Sequence, residues 1–169
     1  MPDKNTCIFS YTTPNDALQA FRKLQAQNFN LTAVSIVGNG RYKKEHAVGI
    51  YTKDGRSHFQ GAQAMFWESL WRNLDGELFI VVPERASLAA TGGIVQLLIK
   101  EQVDVDIHGF SVLGVALFNM GVPADGIAQY EAAIKAGKIL LIVNGKRGEV
   151  ERSCEVLHSE MQQATVHLA

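Results

Sequence analysis

The sequence predicts a mixed α+β protein whose sheet has the ferredoxin-like, split β-α-β arrangement. Two observations support this prediction: residues 1–39 have a strand-helix-strand pattern, and a second such pattern occupies residues 138–169. In this arrangement two helices cover one face of a four-stranded antiparallel sheet, and the right-handed rule for crossover connections limits the alternatives. We expect a single domain over residues 1–169, in which residues 40–137 form an insertion that folds out from the sheet as an appendage.

The N-terminal unit begins with a strand over residues 7–11, where neighbouring side chains alternate with the period of a pleated strand. Three residues then mark a helix start through an N-cap, a first-turn proline and an acidic capping box: Thr13, Pro14 and Asp16. The helix carries one apolar stripe, formed by Leu18, Phe21 and Leu24. Residues 31–37 are rich in β-branched side chains and predict a second strand, which closes at a turn over residues 38–40.

The C-terminal unit begins with a continuous apolar run over residues 139–143, bounded by Gly137 and by an expected turn at Asn144-Gly145. Such a run is typical of a central strand that is buried on both faces. A helical stripe follows, formed by Val150, Cys154, Leu157 and Met161. Apolar and polar residues alternate in the last segment, which predicts a half-buried strand whose apolar side consists of Ala164, Val166 and Leu168.

The insertion begins with a predicted hairpin, in which residues 46–52 and 57–60 flank a two-residue turn at Asp54-Gly55. That register places Tyr51 opposite His58. The other predicted elements are a helix over 62–74, strands over 78–82 and 87–91, and helices near 93–102, 109–120 and 123–136. The last helix ends at Gly137, which suits the C′ position just beyond a helix.

Composition excludes several classes of protein. The chain is 47% hydrophobic and 20% charged, which argues against a disordered or fibrous protein. The 16 basic and 17 acidic residues give a net charge of −1, so nothing attracts the chain as a whole to nucleic acid or to an anionic membrane. Neither a signal-peptide pattern nor a membrane-spanning apolar window occurs, so we expect a cytoplasmic protein in a reducing environment.

The two cysteines and the histidines give no catalytic or metal-binding pattern. Cys7 and Cys154 lie outside any CxxC pair, and each falls on the apolar phase of its element, which favours buried free thiols over a disulfide or a nucleophile. The five histidines lack HExxH or HxH spacing, and the acidic run over residues 101–106 lacks the glycine and distal glutamate of a calcium loop. We therefore predict no metal, no cofactor and no enzymatic activity.

Two segments are candidate interaction sites. The first is an aromatic cluster on one broad side of a predicted helix, formed by Phe66, Trp67 and Trp71. It is either core packing between insertion and sheet, or a surface for protein or membrane contact. The second is a loop whose backbone N–H groups would bind an anion, or else a simple turn with a solvated basic loop: Gly38, Gly40, Arg41, Lys43 and Lys44.

Glycines in and beside the second predicted apolar helix have two interpretations. Gly109, Gly114 and Gly121 would either permit a close approach to another helix or serve as caps and loop residues.

Several motifs together resemble one uncharacterised bacterial family, some members of which are described as general stress proteins or permease-like proteins. They are Val48–Tyr51, Gly61–Trp67 with Leu70 and Trp71, Gly121–Pro123 leading to Gln129–Glu131, and Ala133–Val143. The resemblance covers about residues 16–157 and implies a small non-enzymatic protein, with no catalytic residue or cofactor to carry over. Pro83–Arg85 and Lys100-Glu101 depart from the Gly-rich apolar middle of the relatives, which argues against a membrane-spanning segment here.

The function expected from these observations is that of a non-catalytic interaction or scaffold protein, associated with stress, that forms homo-oligomers through its insertion. Two alternatives remain. One is a small-molecule-sensing domain with a pocket between insertion and sheet and Arg41, Lys43 and Lys44 near its mouth. The other is a membrane-surface protein that binds through Trp67 and Trp71.

Overall fold

The computed structural model describes residues 4–38, 48–51, 78–81, 88–94, 97, 109–158 and 164–168 of the 169-residue chain. They form a mixed α+β structure, as the sequence predicts. The strands are β1 (Asn5–Tyr11), β2 (Val34–Gly38), β3 (Val48–Tyr51), β4 (Leu78–Val81), β5 (Leu88–Gly92), β6 (Ile139–Gly145) and β7 (Ala164–His167). The helices are α1 (Pro14–Ala26), α2 (Gly109–Asn119), α3 (Ile127–Lys135) and α4 (Arg147–Val156).

The strands form one antiparallel sheet in the order β3-β4-β5-β2-β6-β1-β7. Strand β6 lies between β1 and β2, so that Val143 is paired with Cys7 on one side and with Val34 on the other. The first and last segments of the chain therefore lie in the same sheet, which confirms their predicted association.

Helix α1 forms where its start signals predict it. Thr13 is the N-cap, and its Oγ1 accepts a hydrogen bond of 3.2 Å from the Asp16 backbone N–H, while Pro14 occupies the first turn. The helix ends before Asn28, whose φ of 53° lies in the left-handed region that asparagine tolerates. The stripe that faces the sheet consists of Ala17, Ala20, Phe21 and Leu24.

One face of the sheet is covered by α1 and α4. Side chains that alternate along β1 and β6 point to this face and pack against Phe21 and Leu24 of α1 and Val150 of α4: Cys7, Phe9, Tyr11, Ile139, Leu141 and Val143. Burying a Phe or Leu side chain contributes about 1.5–3 kcal/mol, so this layer is a main source of stability.

The opposite face is covered by α2 and α3, which both belong to the segment 40–137. The side chains that alternate with the first set, among them Ile8, Leu140 and Ile142, pack here against Leu117 of α2 and Ile134 of α3. Strand β6 is thus buried on both faces, which explains the continuous apolar run in its sequence.

The middle of the chain is part of the sheet and not an appendage in its described residues. Strand β5 continues the sheet beyond β2, with Ile36 opposite Thr91, and β4 and β3 follow it. The Ser35 side chain of β2 also accepts a 2.8 Å hydrogen bond from the backbone N–H of Ile94, just after β5. The expectation of an appendage is wrong here because the segment has its own strands to pair and two apolar helices that need a sheet face.

Three predicted boundaries also differ from the structure. Residues 31–33 form a 3-10 turn instead of strand, because the Asn30 side chain accepts hydrogen bonds from the Thr32 N–H (3.2 Å) and hydroxyl (2.7 Å). Strand β6 continues through the expected turn at residues 144–145, because Asn144 is paired with Thr6. Helix α3 begins at Ile127, after a 3-10 turn over Ala124–Gly126.

The end of α3 agrees with the prediction. Gly137 has a φ of +87°, and its N–H donates to Ile134 O at 3.0 Å, while Lys138 N–H donates to Ala133 O at 2.9 Å. This pair of bonds defines a Schellman motif, in which glycine accepts the left-handed conformation without steric cost.

Gly114, inside α2, allows a close approach between two helices of the same chain. A Cβ atom at this position would lie 2.8 Å from Glu131 Oε1 and 3.2 Å from Ile127 Cγ2, both on α3. Of the two interpretations of this glycine, close helix packing therefore applies, and it serves the fold of one chain.

The predicted hairpin at the start of the insertion is described in part. Strand β3 pairs with β4, so that Tyr51 lies opposite Leu78. Residues 57–60, and with them the expected pairing of Tyr51 with His58, lie outside the described residues, as do the predicted helix over 62–74 and Met161. Within the described part of the chain, no helix has the length and apolarity needed to cross a membrane.

Candidate functional site

Most of the candidate site residues lie outside the described residues. They are the aromatic residues Phe66, Trp67 and Trp71 and the loop residues Gly40, Arg41, Lys43 and Lys44. Gly38 is described: it is the last residue of β2, is buried, and is paired with Ala89 of β5. The aromatic interaction surface and the anion-binding loop therefore stay predictions.

The structure brings together a row of polar side chains that the sequence did not single out. Asn144 of β6 is paired with Thr6 of β1, and Thr6 is paired in turn with His167 of β7. Directly paired residues of neighbouring strands point to the same face. Because Ile8, two residues after Thr6, packs in the core beneath α2 and α3, this polar row also lies on that face.

The centre of the row is a buried hydroxyl that joins the sheet to helix α2. Thr6 is fully buried, and its Oγ1 donates to the backbone oxygen of Met120, just beyond the end of α2, at 2.5 Å. Asn144 Nδ2 donates to Thr6 Oγ1 at 2.9 Å and to Asn5 O at 3.1 Å. The Thr6 bond partners the carbonyl oxygen of Met120, just beyond α2, where the last carbonyl groups of a helix have no intrahelical donors.

A charged side chain at the same place complements the helix. Lys4 Nζ donates to Asn119 O, the last residue of α2, at 2.9 Å. A cation at a helix C-terminus stabilises the negative end of the helix dipole. The start of β1 therefore holds the end of α2 through both Lys4 and Thr6.

At the outer end of the row, His167 contacts helix α3. Tyr130 Oη lies 2.9 Å from His167 Nε2, and the two rings meet edge to face with centroids 6.2 Å apart. Burial raises the pKa of the Tyr130 phenol and lowers the pKa of the His167 imidazole. Both shifts favour the neutral forms, so the pair shares one hydrogen bond without net charge.

Strand β7, which carries His167, lies at one end of the strand order and exposes apolar side chains. Val166 is 39% exposed and Leu168 is 44% exposed. The predicted burial of this apolar phase is wrong for these two residues, because in the part of the chain that the structure describes the core under α1 and α4 is formed with β1, β2 and β6. Ala164 alone of the three packs against the core.

The two cysteines meet on the face covered by α1 and α4. Both are free thiols, as predicted, and Cys154 Sγ lies 3.9 Å from Cys7 Sγ. Cys7 is fully buried in β1, whereas Cys154 on α4 is half-buried. Burial and the neighbouring Cys154 sulfur both raise the pKa of the Cys7 thiol.

Sequence reasoning missed these pairs for a common reason. The inward position of Tyr130 follows from the helical spacing of Ile127, Tyr130 and Ile134, but its partner His167 lies 37 residues away. The cysteines are separated by 147 residues, so their approach depends on how β1 and α4 pack.

Within the described residues, no group of three or more His, Cys, Asp or Glu side chains has the geometry to hold a metal ion. No protein-family model matches the chain, and no curated protein or solved structure shows significant similarity to it. The resemblance to the stress-protein family therefore stays a prediction.

Proposed function

We propose that the protein is a non-catalytic interaction module with a ferredoxin-like core, which associates with a second copy of itself through the edge of its sheet. The strand order β7-β1-β6-β2, with α1 and α4 on one face, supports the ferredoxin-like part of the proposal. Strands β5, β4 and β3 extend that core on the β2 side. The cytoplasmic location and the association with stress stay predictions.

The observation that carries the proposal is the chemistry of edge strand β7. Edge strands usually carry lysine, proline or a bulge that prevents pairing with another chain. Residues 164–169 have the sequence ATVHLA, with no lysine, proline or acidic residue. Val166 and Leu168 are also large exposed apolar side chains. An edge of this composition favours pairing with another strand.

A second copy of this chain fits the edge without any further partner. Two antiparallel copies of β7 related by a twofold axis offer the same surface to one another. With Val166 at the axis, Val166 would lie opposite its own copy and Leu168 opposite Ala164 of the other chain. All three side chains share one face of the strand, so the pairing would create an apolar ladder across the interface.

The test is the molar mass of the full chain in solution, measured by size exclusion with light scattering over a dilution series. We expect the wild-type chain to be a dimer and the Val166→Lys variant a monomer, because the new charges would lie opposite one another at the axis. Gln25→Lys, at an exposed position of α1, is the matched control and should leave the dimer intact. A wild-type chain that is monomeric at every concentration would overturn the proposal.

One observation favours the insertion as a second interface. Phe118, on α2, is 54% exposed and belongs to the insertion that the sequence predicts to self-associate. If Phe118→Ser dissociates the oligomer and Val166→Lys does not, the interface lies on the insertion and not on the sheet edge. The small-molecule and membrane-surface alternatives depend on residues outside the described ranges and stay predictions.

A further inference from the structure

We propose that Cys7 and Cys154 are a redox pair, which hydrogen peroxide converts to a reversible disulfide within one chain. Nothing in the proposed self-association requires this chemistry, so the two proposals stand or fall independently. The proposal rests on the distance between the sulfurs, on their unequal exposure, and on the rigidity of the elements that carry them.

The sulfurs are close enough to bond after a small movement. Their separation is 3.9 Å, whereas a disulfide bond is about 2.05 Å long. Rotation of a cysteine side chain about its Cα–Cβ bond moves the sulfur by a distance of this order, so the backbone needs little adjustment. The local contacts also keep the sulfurs opposed, since Cys154 Sγ donates its hydrogen bond to Cys7 Sγ.

Helix α4 is fixed beside β1 on both sides of Cys154. Val150 and Leu157 lie about one turn before and after it and are fully buried. Arg152 Nη2 donates to Gln27 O at the end of α1 at 2.9 Å, and its guanidinium lies 5.9 Å from the centre of the Phe29 ring. These contacts hold Cys154 over Cys7 in the folded chain, which favours a bond within the chain over one between chains.

The difference in exposure between the two thiols determines which of them reacts first. Cys154 is half-buried and can meet a small oxidant, whereas Cys7 is fully buried beneath it. Cys154 is therefore the first sulfur to react, and Cys7 resolves the product.

Oxidation of the pair takes place in two steps. Cys154 Sγ attacks one oxygen of hydrogen peroxide, the O–O bond breaks, and the products are a sulfenic acid on Cys154 and one water. Cys7 Sγ then attacks Cys154 Sγ, the S–S bond forms, the S–O bond breaks, and the Cys7 proton leaves with the hydroxyl group as a second water. Two thiols lose two electrons in total, and peroxide accepts them. A dithiol reductant reverses the reaction by exchange.

The disulfide would fasten the first strand to the last helix. Residues 7 and 154 are 147 positions apart, so the bond closes a loop that contains most of the chain. A cross-link over a long loop reduces the conformational freedom of the unfolded state. We expect oxidation to raise the Tm by about 5–10 °C and to make the terminal β-α-β units harder to separate.

The experiment exposes the folded, full-length wild-type chain to hydrogen peroxide, removes the peroxide, and then unfolds the chain in the presence of iodoacetamide so that every remaining thiol is blocked. The peptides are mapped by mass spectrometry without reduction. We expect one linked pair of peptides that contains Cys7 and Cys154, a chain mass lower by two hydrogen atoms, and full recovery of both thiols with dithiothreitol. Non-reducing electrophoresis should show one band at the position of the single chain.

A sulfenic-acid trap distinguishes the proposed order of events. With dimedone present during oxidation, we expect the adduct on Cys154, and we expect more of it in Cys7→Ala, where the resolving thiol is absent. Cys154→Ser should give neither adduct nor disulfide. The peptide map of the wild-type chain tests formation of the Cys7–Cys154 disulfide without any substitution. It therefore remains a valid test even if a substitution at buried Cys7 impairs folding.

Three outcomes would overturn the proposal. They are alkylation of both cysteines after peroxide exposure of the folded chain, peptide links formed only between chains, and a dimedone adduct on Cys7 instead of Cys154.

Discussion

Tyr130 Oη lies 2.9 Å from His167 Nε2, and this contact joins helix α3, from the middle of the chain, to the last strand of the sheet. The two residues belong to segments that the sequence assigns to different parts of the molecule. Because Tyr130 is buried and His167 is half-buried, the bond fixes how α3 meets the edge of the sheet.

We expect the Tyr130–His167 contact to show as a measurable coupling. In a double-mutant cycle of Tyr130→Phe and His167→Gln, the coupling free energy should be about 0.5–1.5 kcal/mol in favour of the wild-type pair, the net contribution of one hydrogen bond. Urea unfolding measures it. His158→Gln, at an exposed position, is the control and should show no coupling with Tyr130→Phe. Independent, additive effects of the two substitutions would contradict the expectation.

The same histidine should make stability depend on pH. Burial lowers the pKa of His167 below its ordinary 6.5, so the unfolded chain takes up this proton more readily than the folded chain. The contribution of neutral His167 is therefore complete above pH 6.5 and is lost as the pH falls through the folded-state pKa. Unfolding followed across this window should show a smaller loss of stability in His167→Gln than in wild type.

Glu131 acts in the opposite direction at lower pH, which makes the comparison with the variant necessary. Burial raises the pKa of its carboxyl, although Lys135 lowers it in part, so the folded chain takes up this proton first. Because both proteins keep Glu131, its effect cancels in the difference between them. Parallel stability curves for wild type and His167→Gln would refute the assignment of the pH dependence to His167.

Removal of the Thr6 hydroxyl should destabilise the protein more than is usual for the loss of so small a group. Thr6 Oγ1 donates to Met120 O and accepts from Asn144 Nδ2, so Thr6→Val deletes both bonds inside a fully buried site. We expect a loss of about 1–3 kcal/mol in the free energy of unfolding. The same substitution at exposed Thr12 should change it by less than about 0.5 kcal/mol. Equal effects of the two would show that the polar row adds nothing to stability.

Two glycines at which an added Cβ would have open space provide a matched test of backbone conformation. A Cβ at Gly137 or at Gly148 would meet nothing within 4 Å, but only Gly137 has a positive φ, of +87°. Gly137→Ala should therefore cost about 1 kcal/mol through backbone strain alone. Gly148→Ala, near the start of α4, should raise stability by about 0.5 kcal/mol. Thermal unfolding of both variants gives the comparison, and stabilisation by Gly137→Ala would rule out the left-handed conformation.

Local signals predicted the elements whose causes lie within a few residues. The N-cap at Thr13, the Schellman end at Gly137 and the doubly buried run Ile139–Val143 all appear as expected. The predicted turn at Asn144-Gly145 failed although its residue types favour a turn, because Asn144 makes hydrogen bonds to Asn5 and Thr6 at the other end of the chain. The tertiary hydrogen bonds of Asn144 therefore outweighed the local preference of Asn-Gly for a turn.

The candidate site residues show the same difference between local signals, which the sequence contains, and tertiary contacts, which it does not show. Sequence spacing placed Tyr130 and both cysteines on the inward sides of their elements. It could not show that Tyr130 meets His167 or that the two cysteines meet each other, because these contacts depend on the register of β7 against β1 and on the packing of α4. For β7 the sequence predicted the strand correctly but the burial of its apolar side chains wrongly. Alternation identified the strand correctly, but exposure depends on whether a helix lies over that part of the sheet.

For the described residues, the amino-acid sequence alone determined the order and type of the helices and strands, which side chains share a face, and that each end of the chain has the strand-helix-strand pattern. Propensity, capping and periodicity act over one or two turns of chain, so they are present in any segment taken by itself. Only the tertiary structure decided that the described strands of the middle segment extend the sheet and that α2 and α3 cover its second face, that Tyr130 meets His167, and that Cys154 lies over Cys7. Those outcomes depend on strand order and helix packing between residues that are 37 to 147 positions apart.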